Sequence, residues 1–388
     1  MNAMRASYGL NEEEQEMINV VREFAEQHVA PRAAEIDQTA QFPRDLLEQM
    51  AELDILALPF PPAYGGIGAS DLLVVMAIEE LARQCASTSL ILAAQTLAGT
   101  PLMLFGNEQQ KQYYLPRLAK GEWLAAYALT EPEAGSDAGS MRTSAVRKGE
   151  SYVLNGSKHF ITNGGLAQVT VVFARTDPQA GTRGMSAFLV EKDLPGFSVG
   201  KVEHKMGIRG SQTTELVFTD CEIPAQSLLG REGEGFKIAM ATLDRTRPCV
   251  AAQALGIAQG ALEYALEYVK TRKQFGKPIA EQQGIQFMVA EMATELEAAR
   301  LLVYRAAMLI DRSRTEPELR FSKESAMAKM YATEVAVRVV DRALQLLGGY
   351  GYMTEYPLER MYRDVRITPI YEGTNQIQRL VIAREALR

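Results

Sequence analysis

The chain has 388 residues, enough for roughly two or three domains with a sizeable core. The net charge is −7 and the basic residues are dispersed, which argues against a nucleic-acid-binding surface and a polybasic membrane patch. Three cysteines and three histidines lie scattered without metal-ligand or CxxC spacing, so we expect no metal site or disulfide framework, and a reducing compartment.

Residues 1–122 carry apolar side chains at helical spacing and are predicted to form an α-helical domain. No basic and apolar leader is visible at the start, so we expect a cytoplasmic protein. Residues 89–105 are the most apolar, but Pro101 interrupts them, so two buried helices are predicted instead of a membrane span. The GGIGASD segment at 65–71 follows a proline-rich loop and not a strand, which favours a loop over a dinucleotide-binding turn.

Residues 123–233 contain short runs rich in Val, Phe, Thr and Tyr, separated by turn-forming residues. Strands at such intervals without intervening helices predict an antiparallel β-barrel or sandwich. An Asn-Gly pair at 155–156 predicts a hairpin turn between Tyr152 and Phe160.

Residues 234–388 return to longer helical patterns with short connections, which predict an antiparallel helical bundle. One helix is expected to begin at Pro248 and to stop at Gly276, because proline is tolerated in the first helical turn. Another is expected to end at Gly348 and Gly349.

Two segments carry most of the chemical signal. YALTEPEAGSDAGS, at 127–140, offers hydroxyls and backbone amides that can bind a flat heterocycle or a substrate, although its residues also suit an ordinary turn. The second segment, PIYEGTNQIQRL at 369–380, places Glu372 before a glycine. The segment is either an ordinary break between two helices or a bend that presents Glu372 as a general base. Walker A, nucleophile-elbow and zinc-protease motifs are missing from the sequence, so an enzyme of this kind would take its chemistry from a cofactor.

Seven motifs occur in a family-specific order: YALTEPEAGSD, LNGSKHFITNG, MGIRGSQTTELVFTDCEIP, LDRTRP, RKQFGKPI, QLLGGYGYMTEYPLER and IYEGTNQIQRLVIARE. With these the chain resembles the acyl-CoA dehydrogenase family, closest to its short- and medium-chain members, from about residue 10 to the last helix. The resemblance implies an α-helical, a β and a four-helix domain, bound FAD and usually a homotetramer. It also implies oxidation of an acyl-CoA to the trans-2-enoyl-CoA, with electrons passing to an electron-transferring flavoprotein.

The resemblance assigns the catalytic base to Glu372, whose pKa burial would raise toward neutrality. Tyr371 would wall the cleft and Gly373 would admit the thioester, while the backbone N–H of Glu372 and the flavin ribityl 2′-hydroxyl would bind the carbonyl oxygen. In isovaleryl-type and long-chain-type members the base lies where this chain has Thr246, which cannot serve as a base.

Thr130 and Thr162 match hydroxyl donors to the flavin, and Phe160 matches an aromatic residue that covers the ring, often tryptophan in relatives. Some of the cofactor residues come from a neighbouring subunit in the family. The full set that the resemblance assigns to FAD is Tyr127, Leu129, Thr130, Gly135, Ser136, Phe160, Ile161, Thr162, Arg272, Gln274, Phe275, Gln283, Gln345, Leu346, Gly348, Gly349, Thr374 and Gln376.

For the substrate, Ser136 matches a contact to CoA, and Asp244 and Arg247 match residues near the pantetheine and the base. A surface ion pair near a helix start is the alternative interpretation of the last two. Ser89, Ala93 and Ala94 are expected to help set the depth of the acyl pocket.

A straight short- to medium-chain acyl-CoA is the expected substrate, with a branched short chain as the close rival, because a pocket separates neighbouring chain lengths by only about 1–3 kcal/mol. An acyl-CoA oxidase, a non-catalytic flavin- or CoA-binding scaffold, and an enzyme acting on nitroalkanes or amines remain alternatives.

Overall fold

The computed structural model describes residues 8–388, and its N-terminal part is helical as the sequence predicts. The first helix begins with a capping box, in which the side chains of Asn11 and Glu14 each accept a hydrogen bond from the other's backbone N–H. It continues through a π-helical turn, Ala25–Val29, and a 3₁₀ turn, Ala30–Arg32. The α-helices of this part are α1 (Glu12–Phe24), α2 (Ala33–Thr39), α3 (Arg44–Glu52), α4 (Asp71–Gln84), α5 (Ala86–Phe105) and α6 (Glu108–Ala119).

Helix α5 corrects the prediction of two helices meeting at a proline. Pro101 lies inside one continuous helix, a single turn before its end at Phe105. The missing proline N–H therefore removes one hydrogen bond close to a terminus, where the packed surroundings of a largely buried helix can offset its loss. The helix is long and apolar enough to cross a membrane, but most of its residues are buried within the chain, as is common for a core helix.

The middle part forms one eight-stranded sheet in the order β6-β7-β3-β2-β4-β5-β8, with β1 paired to β4. The predicted all-antiparallel pairing is wrong in two places, because β1 runs parallel to β4 and β2 meets β4 in a short parallel contact. The strands are β1 (Ala125–Ala128), β2 (Ser144–Lys148), β3 (Ser151–Thr162), β4 (Val169–Arg175), β5 (Met185–Glu191), β6 (Phe197–Val202), β7 (Thr213–Pro224) and β8 (Leu228–Leu229).

The Asn-Gly pair at 155–156 does not form the predicted hairpin turn. Both residues lie inside β3, where the register with β7 shifts between Leu154 and Gly156. Gly156 has φ +141°, and a Cβ there would lie 2.7 Å from atoms of Thr143. The pair therefore marks a β-bulge, while the hairpin that joins β2 to β3 lies at 149–150.

The C-terminal part is helical, and its longest helix, α7 (Gly235–Thr271), corrects a second prediction about proline. The helix begins thirteen residues before Pro248, passes through it and ends before Gly276. The third long helix ends at Leu346, just before the predicted glycines. The remaining elements are β9 (Lys273–Gln274), β10 (Lys277–Pro278), α8 (Gln283–Ser313), α9 (Ser322–Leu346), α10 (Pro357–Val365) and α11 (Asn375–Ala386).

Helix α9 packs against α7, α8 and α11, and α4 of the N-terminal part packs against α7. One hydrophobic core therefore runs from α1 through α4 and α7 into the C-terminal bundle. The turn between α10 and α11 lies against this assembly and carries Glu372.

Candidate active site

The turn between α10 and α11 holds Glu372 in an unusual backbone conformation. Glu372 has φ +51° and Gly373 has φ +87°, both in the left-handed region that glycine tolerates best. Gln378 donates from Nε2 to the carbonyl oxygens of both residues, at 3.3 and 2.9 Å. Thr374 caps α11 through a 3.4 Å bond from the N–H of Ile377. A strained glutamate persists only where its surroundings hold it, as these contacts do.

The carboxylate of Glu372 faces helix α7. Thr246 donates from Oγ1 to Glu372 Oε2 at 2.9 Å. Burial raises the pKa of Glu372 to about 7, although the Thr246 hydrogen bond and the positive charges of Lys329 and Arg247 oppose that rise. A carboxyl group with such a pKa can accept a proton near neutral pH, as a general base requires.

Asp244 and Arg247 form an ion pair on the same helix, one turn apart. Arg247 is 3% exposed, and both residues lie well inside α7, so the alternative of a surface pair near a helix start is wrong. Ser322 donates a further hydrogen bond to Asp244. The pair places a buried guanidinium close enough to Glu372 to lower the pKa of that carboxyl.

A buried polar network lies beside the base. The hydroxyl of Tyr371 donates to Gln253 Oε1, and Gln253 Nε2 donates to Ser89 Oγ and to the carbonyl of Ala86, each at 3.0 Å. Gln253 and Ser89 are fully buried, and burial raises the pKa of Tyr371 well above its ordinary value. The structure thus joins Ser89, predicted to line the acyl pocket, to the residue that precedes Glu372.

Two other residues predicted to line the acyl pocket, Ala93 and Ala94, follow Ser89 on α5 and are 5% and 7% exposed. Because alanine side chains are small, this stretch of α5 is narrow. The amide of Gln253 on α7 occupies the buried space next to it, where it bonds Ser89.

The residues predicted to hold the flavin ring come together where the loop after β1 meets β3. The backbone N–H of His159 donates to the carbonyl of Thr130 at 2.8 Å, which sets that loop beside Phe160. Phe160 is 62% exposed at φ +58°, and the ring of His159 lies edge-on to it at 4.2 Å. Thr162, two residues on, is half-buried. An exposed aromatic ring, with one threonine on the same strand and another in the adjoining loop, suits a flat heterocycle.

The remaining residues of this group flank the same loop. Leu129 and Ile161 are buried, whereas Gly135 and Ser136 are exposed. A Cβ on Gly135 would meet no atom within 4 Å, so the backbone there faces open space. Burial, and then the charge of Glu372, raise the pKa of Tyr127 well above its ordinary value.

Most of the second predicted cofactor group lines a separate cavity of about 580 Å³. Amides, a guanidinium and glycine backbone suit the sugar and phosphates of a nucleotide, and a Cβ on Gly348 would meet no atom within 4 Å. Neither Glu372 nor the residues around Thr130 and Phe160 line this cavity. The predicted residues that line it are Arg272, Gln274, Gln345, Leu346, Gly348 and Gly349.

Four predicted residues lie outside that lining. Phe275 is 95% exposed at φ +52° in the β9–β10 turn, and Gln283 is exposed at the first position of α8. Thr374 caps α11, and Gln376 is exposed one residue into that helix. Thr374 and Gln376 therefore lie with Glu372, apart from the cavity.

Sequence reasoning did not identify three buried residues around the base: Gln253, Lys329 and Gln378. The only sequence signal is a polar residue within an apolar helical run, such as Gln253 in AAQALGIA. Within residues 8–388, no cluster of three or more His, Cys, Asp or Glu side chains is arranged to hold a metal ion.

Comparisons with known proteins match most of the described chain. Three family models match in succession: acyl-CoA dehydrogenase N-terminal domain at 11–122, middle domain at 126–221 and C-terminal domain at 233–387. An acyl-CoA dehydrogenase of Bacillus subtilis is 51% identical over 97% of this chain and 99% of its own length.

Two solved structures are similarly close. Butyryl-CoA dehydrogenase from Megasphaera elsdenii is 45% identical with a TM-score of 0.94, covering 98% of this chain and 99% of its own. A chain from a structure described as the electron transferring flavoprotein of Acidaminococcus fermentans is 50% identical with a TM-score of 0.95, with the same coverage.

Proposed function

The chain belongs to the acyl-CoA dehydrogenase family of FAD-dependent oxidoreductases, and we propose that it oxidises short- to medium-chain acyl-CoA thioesters with Glu372 as the base. The observation that carries this proposal is the Glu372 carboxyl, held in a left-handed turn, hydrogen-bonded by Thr246 and poised with a pKa of about 7.

Glu372 takes the proton from the carbon α to the thioester carbonyl, and the electron pair of that C–H bond becomes part of the new C2–C3 double bond. Within the described residues, the backbone N–H of Glu372 has no acceptor, so it is free to donate to the thioester oxygen as negative charge develops. FAD, when bound, supplies the acceptor for the hydride that leaves the β-carbon. The trans-2-enoyl-CoA is then the product.

Thr130, Phe160 and Thr162 would hold the flavin ring, and the cavity around Arg272 and Gln345 would hold the nucleotide half of FAD. Since Thr130, Phe160 and Thr162 do not line this cavity, we assign the cavity to the cofactor of a neighbouring subunit in a homotetramer built as a dimer of dimers. Cofactor binding and assembly would then depend on each other.

We assign the electron acceptor to an electron-transferring flavoprotein, and the likeness to a chain from the Acidaminococcus fermentans structure supports that partner. A cytoplasmic location completes the proposal, as the bacterial relatives and the predicted reducing compartment favour it.

The acyl group belongs to the short end of the proposed range. The Tyr371–Gln253–Ser89 network places a fully buried amide beside the base, where a long apolar chain would have to displace it. A buried amide stripped of its hydrogen bonds costs about 1–3 kcal/mol. The likeness to butyryl-CoA dehydrogenase supports a straight chain of about that length.

Anaerobic mixing of the holoenzyme with straight and branched acyl-CoAs from C4 to C16, followed at the flavin band near about 450 nm, tests cofactor, reaction and substrate together. We expect the fastest bleaching with short straight chains. A maximum at C16, or no bleaching by any acyl-CoA, would refute the proposal, and rapid peroxide formation on admitting air would favour an oxidase.

In the same assay, Glu372→Gln should keep the yellow colour and product binding while its reduction rate falls by about 10²–10⁴-fold, the usual contribution of a general base. Glu295→Gln is a matched control, because the Glu295 carboxylate lies on α8 and pairs with Arg338 at 2.8 Å instead of bonding the turn that carries Glu372. Its flavin should be reduced at close to the normal rate. Normal reduction in Glu372→Gln would move the base to another residue.

A further inference from the structure

Lys329 on α9 is fully buried, although a lysine ammonium is among the most costly groups to remove from water. Such a group is normally retained only where hydrogen bonds and a counter-charge compensate for the lost hydration. The mechanism proposed above does not use it, so its position needs another explanation.

The partners of this ammonium all lie on the turn that carries the base. Nζ donates to the carbonyl oxygen of Gly373 at 2.8 Å and to Oδ1 of Asn375 at 3.0 Å. The Gly373 carbonyl directly follows Glu372, and Asn375 is the first residue of α11. Lys329 therefore fastens the turn to α9 from one side, while Gln378 holds the same carbonyl from α11.

Asn375 is itself fixed in place on α9. Its Nδ2 donates to the hydroxyl of Thr333 at 2.9 Å and to the carbonyl of Met330 at 3.2 Å. Both acceptors lie within four residues of Lys329. Two hydrogen bonds from Lys329 and two from Asn375 thus tie the start of α11, and with it the strained Glu372 backbone, to one turn of α9.

The charges around Lys329 also connect it with Glu372. Both direct acceptors of Lys329 are neutral, and the nearby carboxylate of Glu334 forms an ion pair with Arg379 at 2.6 Å. Burial lowers the pKa of Lys329 to about 7, and Arg247 on α7 adds to that effect, whereas the charge of Glu372 and, more weakly, that of Glu334 raise the pKa. Lys329 in turn lowers the pKa of Glu372. Tyr127, Tyr371 and Cys249 also face the Glu372 carboxylate, and each is neutral at pH 7 because burial and that charge raise its pKa.

We propose that Lys329 is a positioning residue for the base: its buried ammonium clamps the Gly373–Asn375 turn and keeps the Glu372 carboxylate oriented and ionised in the cleft. The inference rests on the proposed function, since it concerns how Glu372 is presented to the substrate. It predicts that a residue with no contact to the substrate alters the pH dependence of flavin reduction.

Two variants separate the clamp from the charge. Lys329→Met removes both, whereas Lys329→Gln keeps an N–H donor for the Gly373 carbonyl and suits a buried polar site better if the methionine variant does not fold. The measurement is the rate of flavin reduction in the holoenzyme at saturating butyryl-CoA, recorded from pH 5.5 to 9 under anaerobic conditions.

Both variants should show a midpoint at least about one pH unit above the wild-type value, because a nearby cation favours the carboxylate form. A shift of that size from about 7 lowers the ionised fraction at pH 7 about fivefold, and raising the pH should restore it. Lys329→Met should also have a lower plateau rate than Lys329→Gln, since only the glutamine can still hold the turn.

Arg300→Met is a matched control, because Arg300 is a buried cation that hydrogen-bonds Glu79 at 3.0 Å, away from the base. Its removal should lower thermal stability and leave the midpoint unchanged. A wild-type midpoint and plateau in both Lys329 variants would overturn the inference. Failure of the proposed function would instead appear as no bleaching of the wild-type flavin by any acyl-CoA.

Discussion

Thr246 illustrates how one hydroxyl can adjust the chemistry of a neighbouring acid. Its single hydroxyl proton has two acceptors within reach, Glu372 Oε2 at 2.9 Å and the carbonyl of Thr242 at 3.2 Å. The ionised carboxylate is the stronger acceptor, so the hydroxyl favours the state in which Glu372 can take a proton. Thr246 lies at the position where other family members have the base. It cannot act as a base itself, but its hydroxyl stabilises the ionised form of Glu372.

Replacing Thr246 with valine keeps the shape of the side chain and removes the hydrogen bond. We expect the pKa of Glu372 to rise, because the bond stabilises its charged form. A charge-assisted bond worth about 1.5–3 kcal/mol corresponds to a rise of about one to two pH units in the reduction midpoint. The rate at pH 7 should therefore fall and recover in alkaline buffer.

Thr242→Val is the matched control for this change. Thr242 lies one turn earlier on α7, is fully buried and bonds only the carbonyl of Ile238 through its hydroxyl. Loss of the Thr242 hydroxyl should leave the pH profile of flavin reduction unchanged. Equal midpoints for both threonine variants and the wild type would show that the Thr246 bond has no influence on the base.

At the level of secondary structure, helix α7 is the element on which the site depends. It carries Thr246 and Arg247 in its first half, and beyond them it packs directly against α4. Gly256 and Gly260 make that approach possible, since a Cβ at either position would lie 2.2 Å from a backbone carbonyl oxygen of α4. Close packing against α4 therefore fixes the position of α7 along its axis and its rotation about that axis, and α7 is the helix that faces Glu372.

Gly256→Ala should destabilise the protein by about 1–3 kcal/mol, because the clashing atom is the carbonyl oxygen of Glu79 and a helix backbone cannot yield locally. Thermal unfolding of the holoenzyme measures this. Gly284→Ala is the control: a Cβ at this position in the first turn of α8 meets no atom within 4 Å, so alanine should leave the stability close to that of the wild type. A neutral result for Gly256→Ala would mean that α4 and α7 can separate freely.

At the level of domains, the three parts of the chain meet at α10. Asp364 Oδ1 accepts a hydrogen bond from the backbone N–H of Ile208, in the loop before β7. The adjacent Arg363 binds Asp37 of α2 at 2.6 Å and donates to the carbonyl of Met206 at 3.0 Å. These contacts link the N-terminal helices, the sheet and the C-terminal bundle close to the turn that bears Glu372.

Burial raises the pKa of Asp364 to about 6, well above its value in an unfolded chain. A carboxyl with a raised folded-state pKa stabilises the fold fully below its unfolded pKa, and that contribution is lost as the pH rises through about 6. Asp364→Asn cannot ionise, so its stability relative to wild type should increase by up to about 3 kcal/mol between pH 4 and pH 7.

Denaturant unfolding of both proteins across that range gives this difference directly. Titrations shared by the two proteins cancel in the subtraction, so the comparison isolates Asp364. A stability difference that stays constant with pH would show that Asp364 titrates normally and does not remain neutral at the domain junction.

Local sequence patterns were sufficient for the order of helical, β and helical parts, because amphipathic spacing and turn residues act over a few positions. They failed at Pro101 and Pro248, where tertiary burial sustains a helix through a proline, and at Asn155, where pairing with β7 makes a bulge of an apparent turn. The parallel pairing of β1 with β4 likewise depends on contacts between distant segments.

The motif around Glu372 was enough to identify it as the candidate base, because a motif consists of residues that are adjacent in the sequence. The environment of Glu372 could not be identified in this way, because Thr246 lies 126 positions away and Lys329 more than 40. Sequence therefore supplied the type of chemistry. The pKa of the base, its orientation and the depth of the acyl pocket arise where α5, α7, α9 and the Glu372 turn meet, since electrostatics and burial depend on distance in space and not on distance along the chain.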